Sequence, residues 1–529
     1  MPVIILPVVL IITGIALLLV FRIKPDFGYF WISAAAISLA TWIAVLVMRW
    51  QLPFYFSMNL WQEIGYQIEF PFFQLDRFSW PYAFSVVSLV LAVVITAPVR
   101  ISQKSNPASW AGSLAIGGLT LLGVLAANPL TLIMAWTGID ILELVYLLKN
   151  AKDNFISRQV VISFTIGICG TFLAVWAMLV SQSQGLPLSF SSMTPDASQF
   201  LVMAAGVRLA IFPIMVFFRQ DFPIRRELGV ILKFASPAMT LVLLSRLPAV
   251  PVSAQVSPYL FSLAIIAVVY GAVLWFTSAD EIIGRPYWIV SFSALAMVCL
   301  LQGRPEISTT WGSAMILGGG LLSLFTSRQI RLLFIPLLGF VCLTGIIFTP
   351  LSIGWSGIWI SPFLPSNLIF MIGHSLLVGG FLKHTFRQEG TQVEIDRWVQ
   401  IIYPAGLLVL VVSNIIIGFW SIRDFGVQSF WIGPTVSTGL ALFWLVIRSW
   451  LERGKPIQSL FKTIGSRIGT VTAAIIGLRW LYIIIAIIYK IIRQFVLWLT
   501  SLLEGDGGVL WALLVLLLII TLIQPGVMP

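Results

Sequence analysis

Long apolar runs separated by short polar punctuation account for nearly all of this sequence. A bilayer core asks for about 20 apolar residues per helix. Runs of that kind fall at 3–21, 29–48, 82–99, 109–127, 129–148, 159–180, 199–218, 230–247, 256–277, 286–302, 310–326, 332–349, 366–382, 400–421 and 429–447. A longer segment near 467–499 and a last run near 508–524 follow. Backbone polar groups in lipid must be satisfied inside their own helix. The pattern therefore predicts an all-α integral membrane protein, a polytopic bundle of about 15–17 transmembrane helices with some of them broken. The segment at 467–499 differs: Arg479, Lys490 and Arg493 share one face within about 60° on a helical projection. It fits either a long C-terminal lateral amphipathic helix or a tilted span with snorkelling ends.

Composition sharpens this. Hydrophobic residues make up 59% of the 529 and charged residues 10%, against about 25% charged in a soluble domain. The net charge of +11 does not point to nucleic acid, because the cations punctuate the apolar runs rather than gather on a face. The partner they imply is the lipid bilayer. If the runs alternate across the membrane, sixteen Lys and Arg fall in loops on one side and five on the other. The positive-inside rule then places the N-terminus outside a cell (inner) membrane, with Pro2 to Phe21 as a retained helix rather than a signal peptide. Cys169, Cys299 and Cys342 lie in apolar stretches without metal-ligand spacing, so neither a disulfide framework nor a metal site is expected. No phosphate-cradling glycine loop or Ser-His-Asp set occurs, so no cofactor is expected and the chain does not read as an enzyme on its own. The outer loop Gln51 to Pro81 is rich in aromatics and reads as an interfacial plug, with a short hairpin at Tyr66 to Phe70.

Ionisable groups inside membrane helices are expensive and mark functional sites by default. The fifth run carries Asp140 and Glu143, whose i, i+3 spacing puts both carboxylates on one helix face. The seventh carries Arg208, and Lys233 sits just inside the eighth. Pro213 and Pro237 mark helix breaks in the same region, where freed backbone groups line cavities or ion paths. Such a carboxylate–cation set serves either as a hydrophilic axis for ions or as a static pair that orients helices. His374 and His384 read as structural.

Several motifs in order resemble the antiporter-like membrane subunits of respiratory complex I, of multisubunit sodium/proton antiporters and of membrane-bound hydrogenases. Arg208-Leu209-Ala210-Ile211-Phe212-Pro213 is similar to the family's Lys-Ser-Ala-Gln-Phe-Pro, and Lys233 stands where a His or Lys follows a short apolar run. Asp280-Glu281-Ile282-Ile283-Gly284-Arg285-Pro286-Tyr287-Trp288 resembles the loop before the tenth helix. Phe73-Gln74-Leu75-Asp76-Arg77-Phe78-Ser79 and Ala126-Ala127-Asn128-Pro129-Leu130 resemble the starts of the third and fifth helices. The resemblance implies an antiporter-like transmembrane domain over 1–450, followed by a lateral helix and a final span over 451–529. It implies a membrane subunit of a complex-I-like respiratory assembly that takes part in proton translocation, with redox chemistry on other subunits and those membrane subunits as partners. In that role Asp140 and Glu143 hold protons, Arg208 is a fixed counter-charge and Lys233 the titrating relay. A multisubunit cation/proton antiporter subunit and a degenerate structural subunit without transport are the alternatives. The departures are specific. Thr137 stands after Trp136 where the family has glutamate, and Arg208 replaces a lysine that must be able to lose its proton. Trp311-Gly312-Ser313 and Gly318-Gly319-Gly320 stand where the family has His and Lys, and Lys383 lies too near its helix end to match the distal one.

Overall fold

The computed structural model describes residues 2–24, 29–57, 71–99, 107–151, 153–212, 226–326, 330–345, 349–359, 365–387, 397–425 and 431–453, with short pieces between 487 and 517. The helices are α1 (Pro2–Ile23), α2 (Phe30–Met48), α3 (Ser79–Thr96), α4 (Pro107–Val124), α5 (Pro129–Asn150), α6 (Asn154–Ser183), α7 (Pro195–Arg208) and α8 (Arg226–Arg246). They continue with α9 (Ser257–Thr277), α10 (Glu281–Leu301), α11 (Ser308–Leu324), α12 (Phe334–Leu343), α13 (Pro350–Ile358), α14 (Pro365–Thr385), α15 (Arg397–Phe425) and α16 (Ile432–Arg453). Among the described residues, eleven helices are long and apolar enough to cross a membrane. The chain is an all-α polytopic membrane bundle.

Contacts divide the chain into two units, Met1–Trp450 and Leu451–Pro529. In the second, residues 493–495 and 513–517 are helical, and most of 467–499 lies outside the described residues. In the first, α11 is wholly buried and α3 and α8 nearly so. Helix α11 touches α3, α8, α10, α13 and α15, which makes it the axis of the bundle. Helices α1, α2, α5 and α6 are peripheral, exposing Ile12, Leu19, Ile43, Phe172 and Trp176. In water such a surface would aggregate, whereas in lipid it is the expected solvent-facing side.

Local chemistry sets the boundaries. Asn128 caps α5, its side chain accepting from Thr131 N at 3.0 Å, and Pro129 stands at the first helical position. Asp280 caps α10 through bonds from Ile282 N (2.9 Å) and Ile283 N (2.7 Å). The hairpin expected at Tyr66 to Phe70 lies outside the described residues. Among the described residues the strands are β1 (Phe54–Ser57) and β2 (Phe72–Leu75), antiparallel with Phe54 opposite Leu75. Arg246, at the end of α8, pins β2 to the α4–α5 link by donating to Gln74 O (2.8 Å) and to Ala126 O, and it pairs with Asp76 at 3.4 Å.

Three expectations need correction. The run 199–218 is not one helix: α7 stops at Arg208. Ile211 N bonds Gly206 O (2.9 Å) and Ala210 N bonds Val207 O (3.2 Å), with Ala210 in the left-handed region at φ 54°, which is a Schellman termination. The run 332–349 ends early: α12 stops at Leu343, with Gly345 at φ 78° just beyond it, and a short helix outside every expected run, α13, opens at Pro350. Pro237 does not end a helix: α8 runs through it from Arg226 to Arg246. A proline removes one i→i−4 bond, and in a membrane bundle neighbouring helices and side chains absorb that loss. Pro213 lies outside the described residues.

Candidate functional site

The site is built where α5, α6, α7 and α8 meet. Asp140 projects from α5, and Arg208 reaches it from the last residue of α7, where a cation also favours the helix C-terminus. The pair is bidentate: Arg208 Nη1 donates to Asp140 Oδ2 at 2.9 Å and Nη2 to Oδ1 at 2.8 Å. Parallel N–H···O⁻ bonds of this type are the strong, geometrically selective form of the arginine–carboxylate contact. The guanidinium also donates to Gly167 O (2.9 Å), Thr171 Oγ1 (3.3 Å) and Ser236 Oγ (3.3 Å), and it lies 4.4 Å over the Trp136 ring. Only 1% of the Arg208 side chain is exposed. Burial on this scale is tolerated because partners surround the charge.

One helical turn along α5, Glu143 Oε1 accepts from Lys233 Nζ of α8 at 2.9 Å. This second pair is looser, with 22% and 17% of the two side chains exposed. It faces a cavity of about 40 Å³ lined by Glu143, Ser163, Lys233, Ser236, Pro237 and Pro286, among others. A second cavity of about 20 Å³ touches both Asp140 and Glu143, together with Ser163, Gly167 and Ser236. A water needs about 10–15 Å³ of such volume and two to four polar partners, so both cavities meet the size and the chemistry. Pro237 contributes directly, since its missing N–H is the donor that would have bonded the Lys233 carbonyl in an unbroken helix.

The structure thus brings together the four charged residues expected from the sequence, as two ion pairs sharing Ser236 as neighbour. Asp140 and Glu143 line one cavity, which is what their i, i+3 spacing requires. What sequence reasoning missed is α6. Ser163, Gly167 and Thr171 follow one another at i, i+4 and i+8 and form a small, polar stripe beneath the charges. Gly170 completes it, because a Cβ there would lie 2.6 Å from Arg208 Cγ. That spacing was visible, but without a charge on α6 nothing singled it out.

His374 and His384 stand apart from these pairs. His374 Nδ1 lies 2.9 Å from Ser437 Oγ, and His384 Nε2 lies 3.1 Å from Ser278 Oγ. Lys383 donates to Phe276 O and Ser278 O, both at 2.7 Å. Among the described residues no group of three His, Cys, Asp or Glu is placed to hold a metal ion.

No protein-family model matches the sequence, and no curated protein matches it significantly. Solved structures do match. A chain of the membrane-bound sulfane sulfur reductase, an archaeal respiratory membrane complex, is 14% identical at a TM-score of 0.68, with 99% of this chain and 100% of that one covered. A chain of respiratory complex I from Thermus thermophilus is 15% identical at a TM-score of 0.61, covering 83% and 99%. A chain of the Mrp complex from Dietzia sp. is 14% identical at 0.66, covering 89% of this chain and 60% of that one. At such identities the likeness is one of fold.

Proposed function

We propose that this chain, which has the fold of antiporter-like membrane subunits, is a membrane subunit of a complex-I-like respiratory assembly and takes part in proton translocation, with redox chemistry on other subunits. The observation that carries this reading is the Glu143–Lys233 pair, bonded at 2.9 Å and facing a cavity with room for water. Both partners are groups that exchange protons, and Ser236 connects them to Asp140–Arg208 next door. Arginine holds its proton permanently, so Arg208 acts as a fixed positive charge that keeps Asp140 oriented. Glu143 and Lys233 then form the mobile part. When Lys233 gives its proton to a water in the cavity, the Glu143 carboxylate is left without its counter-charge. The proton on the pair can therefore be handed on in either direction, as the neighbouring charge state dictates.

The likeness to chains of multisubunit membrane complexes supports placement in such a complex. The distribution of cations supports a multi-pass cell (inner) membrane protein with its N-terminus outside. Residues 1–450 would form the antiporter-like domain and 451–529 the lateral helix and last span. The test is proton uptake into vesicles holding the assembled complex. Glu143→Gln and Lys233→Ala should each lower uptake while the complex stays intact on a native gel. Unchanged uptake in both would make the charges structural.

A second reading, a subunit of a multisubunit cation/proton antiporter, is supported by the likeness to the Mrp chain. Sodium-dependent proton exchange in vesicles without any redox substrate would favour it.

A further inference from the structure

Beyond the cavity at Lys233 the interior changes character. Trp275 of α9, Trp288 and Phe292 of α10, Trp311 of α11 and Trp355 of α13 are all buried, none more than 2% exposed. They form an unbroken succession of ring contacts between the two histidines. Centroids lie 4.5 Å apart for His384–Trp275, 5.1 Å for Trp275–Trp288, 4.3 Å for Trp288–Phe292, 6.1 Å for Phe292–Trp311 and 5.6 Å for Trp311–His374. The stack shares helix α10 with the wall of the cavity. Pro286, Ile289 and Val290 of α10 line that wall, and Trp288 leaves the same helix to rest on Gly319 of α11. Phe234, next to Lys233, rests on the same glycine.

Glycines seat these rings. A Cβ on Gly319 would come within 2.6 Å of both Phe234 and Trp288, one on Gly380 within 2.5 Å of Trp275, and one on Gly433 within 2.4 Å of Trp355. Real side chains never come so close, so each large ring fills space that a missing side chain leaves open. The polar ends of three of the rings are committed as well. Trp275 Nε1 donates to Leu377 O, Trp288 Nε1 to Met315 O and Trp311 Nε1 to Gly354 O, each at 3.0 Å. An indole donates only and has no acceptor. A proton relay needs groups that accept and donate in turn, and these rings offer no acceptor.

We propose that this glycine-seated ring stack is a proton-tight septum. It separates the Glu143–Lys233 pair from His374 and His384, so that the pair loads and unloads without reaching either histidine. The inference rests on the proton-handling reading above, although the septum can be tested apart from it.

The test uses the assembled complex in liposomes loaded with a pH-sensitive dye, with no redox substrate and a potassium diffusion potential to drive protons. Trp288→His places an acceptor–donor in the stack, and Trp288→Phe keeps an apolar ring there. Wild type and Trp288→Phe should be tight. Trp288→His should leak about tenfold faster or more, the change that ~1.4 kcal/mol off a barrier produces. Adding Glu143→Gln to Trp288→His should return the leak to the wild-type level. A Trp288→His complex of normal subunit composition that is as tight as wild type overturns the septum. A leak that persists with Glu143→Gln upholds the septum and counts against Glu143 as the relay. His374→Gln supplies an arm free of the tryptophan substitution: pumping should be unchanged, and its loss in an intact complex overturns the proposal.

Discussion

Arg208 holds Asp140 with both terminal nitrogens, at 2.9 and 2.8 Å, from the last residue of a helix that ends in the bundle interior. The pair is rigid for three separate reasons: the bidentate geometry, the further bonds to Gly167, Thr171 and Ser236, and the Trp136 face beneath the guanidinium. Removing one partner of such a pair leaves the other charge buried. Asp140→Asn should therefore destabilise the protein by roughly 3–5 kcal/mol, read as a large fall in melting temperature in detergent. The double change Asp140→Asn with Arg208→Met should recover much of that loss. Independent, additive effects would mean that the two residues are not coupled.

Lys233 permits a sharper test of chemistry against structure. Lys233→Arg keeps the positive charge beside Glu143 but cannot release a proton. The complex should assemble normally and pump poorly. Normal pumping by Lys233→Arg would show that Lys233 never needs to deprotonate.

Ala210 holds a left-handed conformation that costs a side-chain-bearing residue about 1–2 kcal/mol. Ala210→Gly should raise stability by about 1 kcal/mol, and Ala210→Val should lower it by more. Thermal melts of the two variants would check this. A destabilised Ala210→Gly would show that the α7 termination is not as described here.

Outside the spans, Asp76 supplies a pH signature. Its burial would push the carboxyl up, but the Arg246 charge and the bonds from Ser79 and Phe78 outweigh burial and hold it below the usual carboxylate range near 4. A depressed carboxyl stabilises the fold while ionised. Its contribution is thus present above pH ~4 and is lost as pH falls through the lower folded value. Asp76→Asn should melt lower than wild type at neutral pH, and the gap should narrow as the pH drops below 4. A gap that stays constant with pH would contradict this account.

Much of this was legible in the sequence because membrane burial is so selective. Helix positions followed from apolar runs, and Asp140, Glu143, Arg208 and Lys233 stood out because a charge in lipid needs a reason. The pairing was not legible, since nothing in one dimension says that Arg208 faces Asp140 while Lys233 faces Glu143. The early end of α7 was missed because an alanine, not a glycine, takes the left-handed position. The early end of α12 at Gly345 and the extra helix opening at Pro350 each carried a usual marker, and the apolar residues around them concealed both. Trp311 and the glycines of α11 were noted as departures from an expected pattern. That the glycines are seats for rings on other helices is a long-range fact: Gly319 meets Phe234 and Trp288, from two different helices.

The two ion pairs also have a consequence for electrical balance. Two carboxylates stand against two cations, so the quartet carries no net charge while all four are ionised. A proton added to Asp140 or Glu143, or taken from Lys233, leaves a whole uncompensated charge among its neighbours. Unit charges 4 Å apart in such surroundings interact by about 4 kcal/mol. The cluster therefore resists holding two extra protons at once, and it counts them singly.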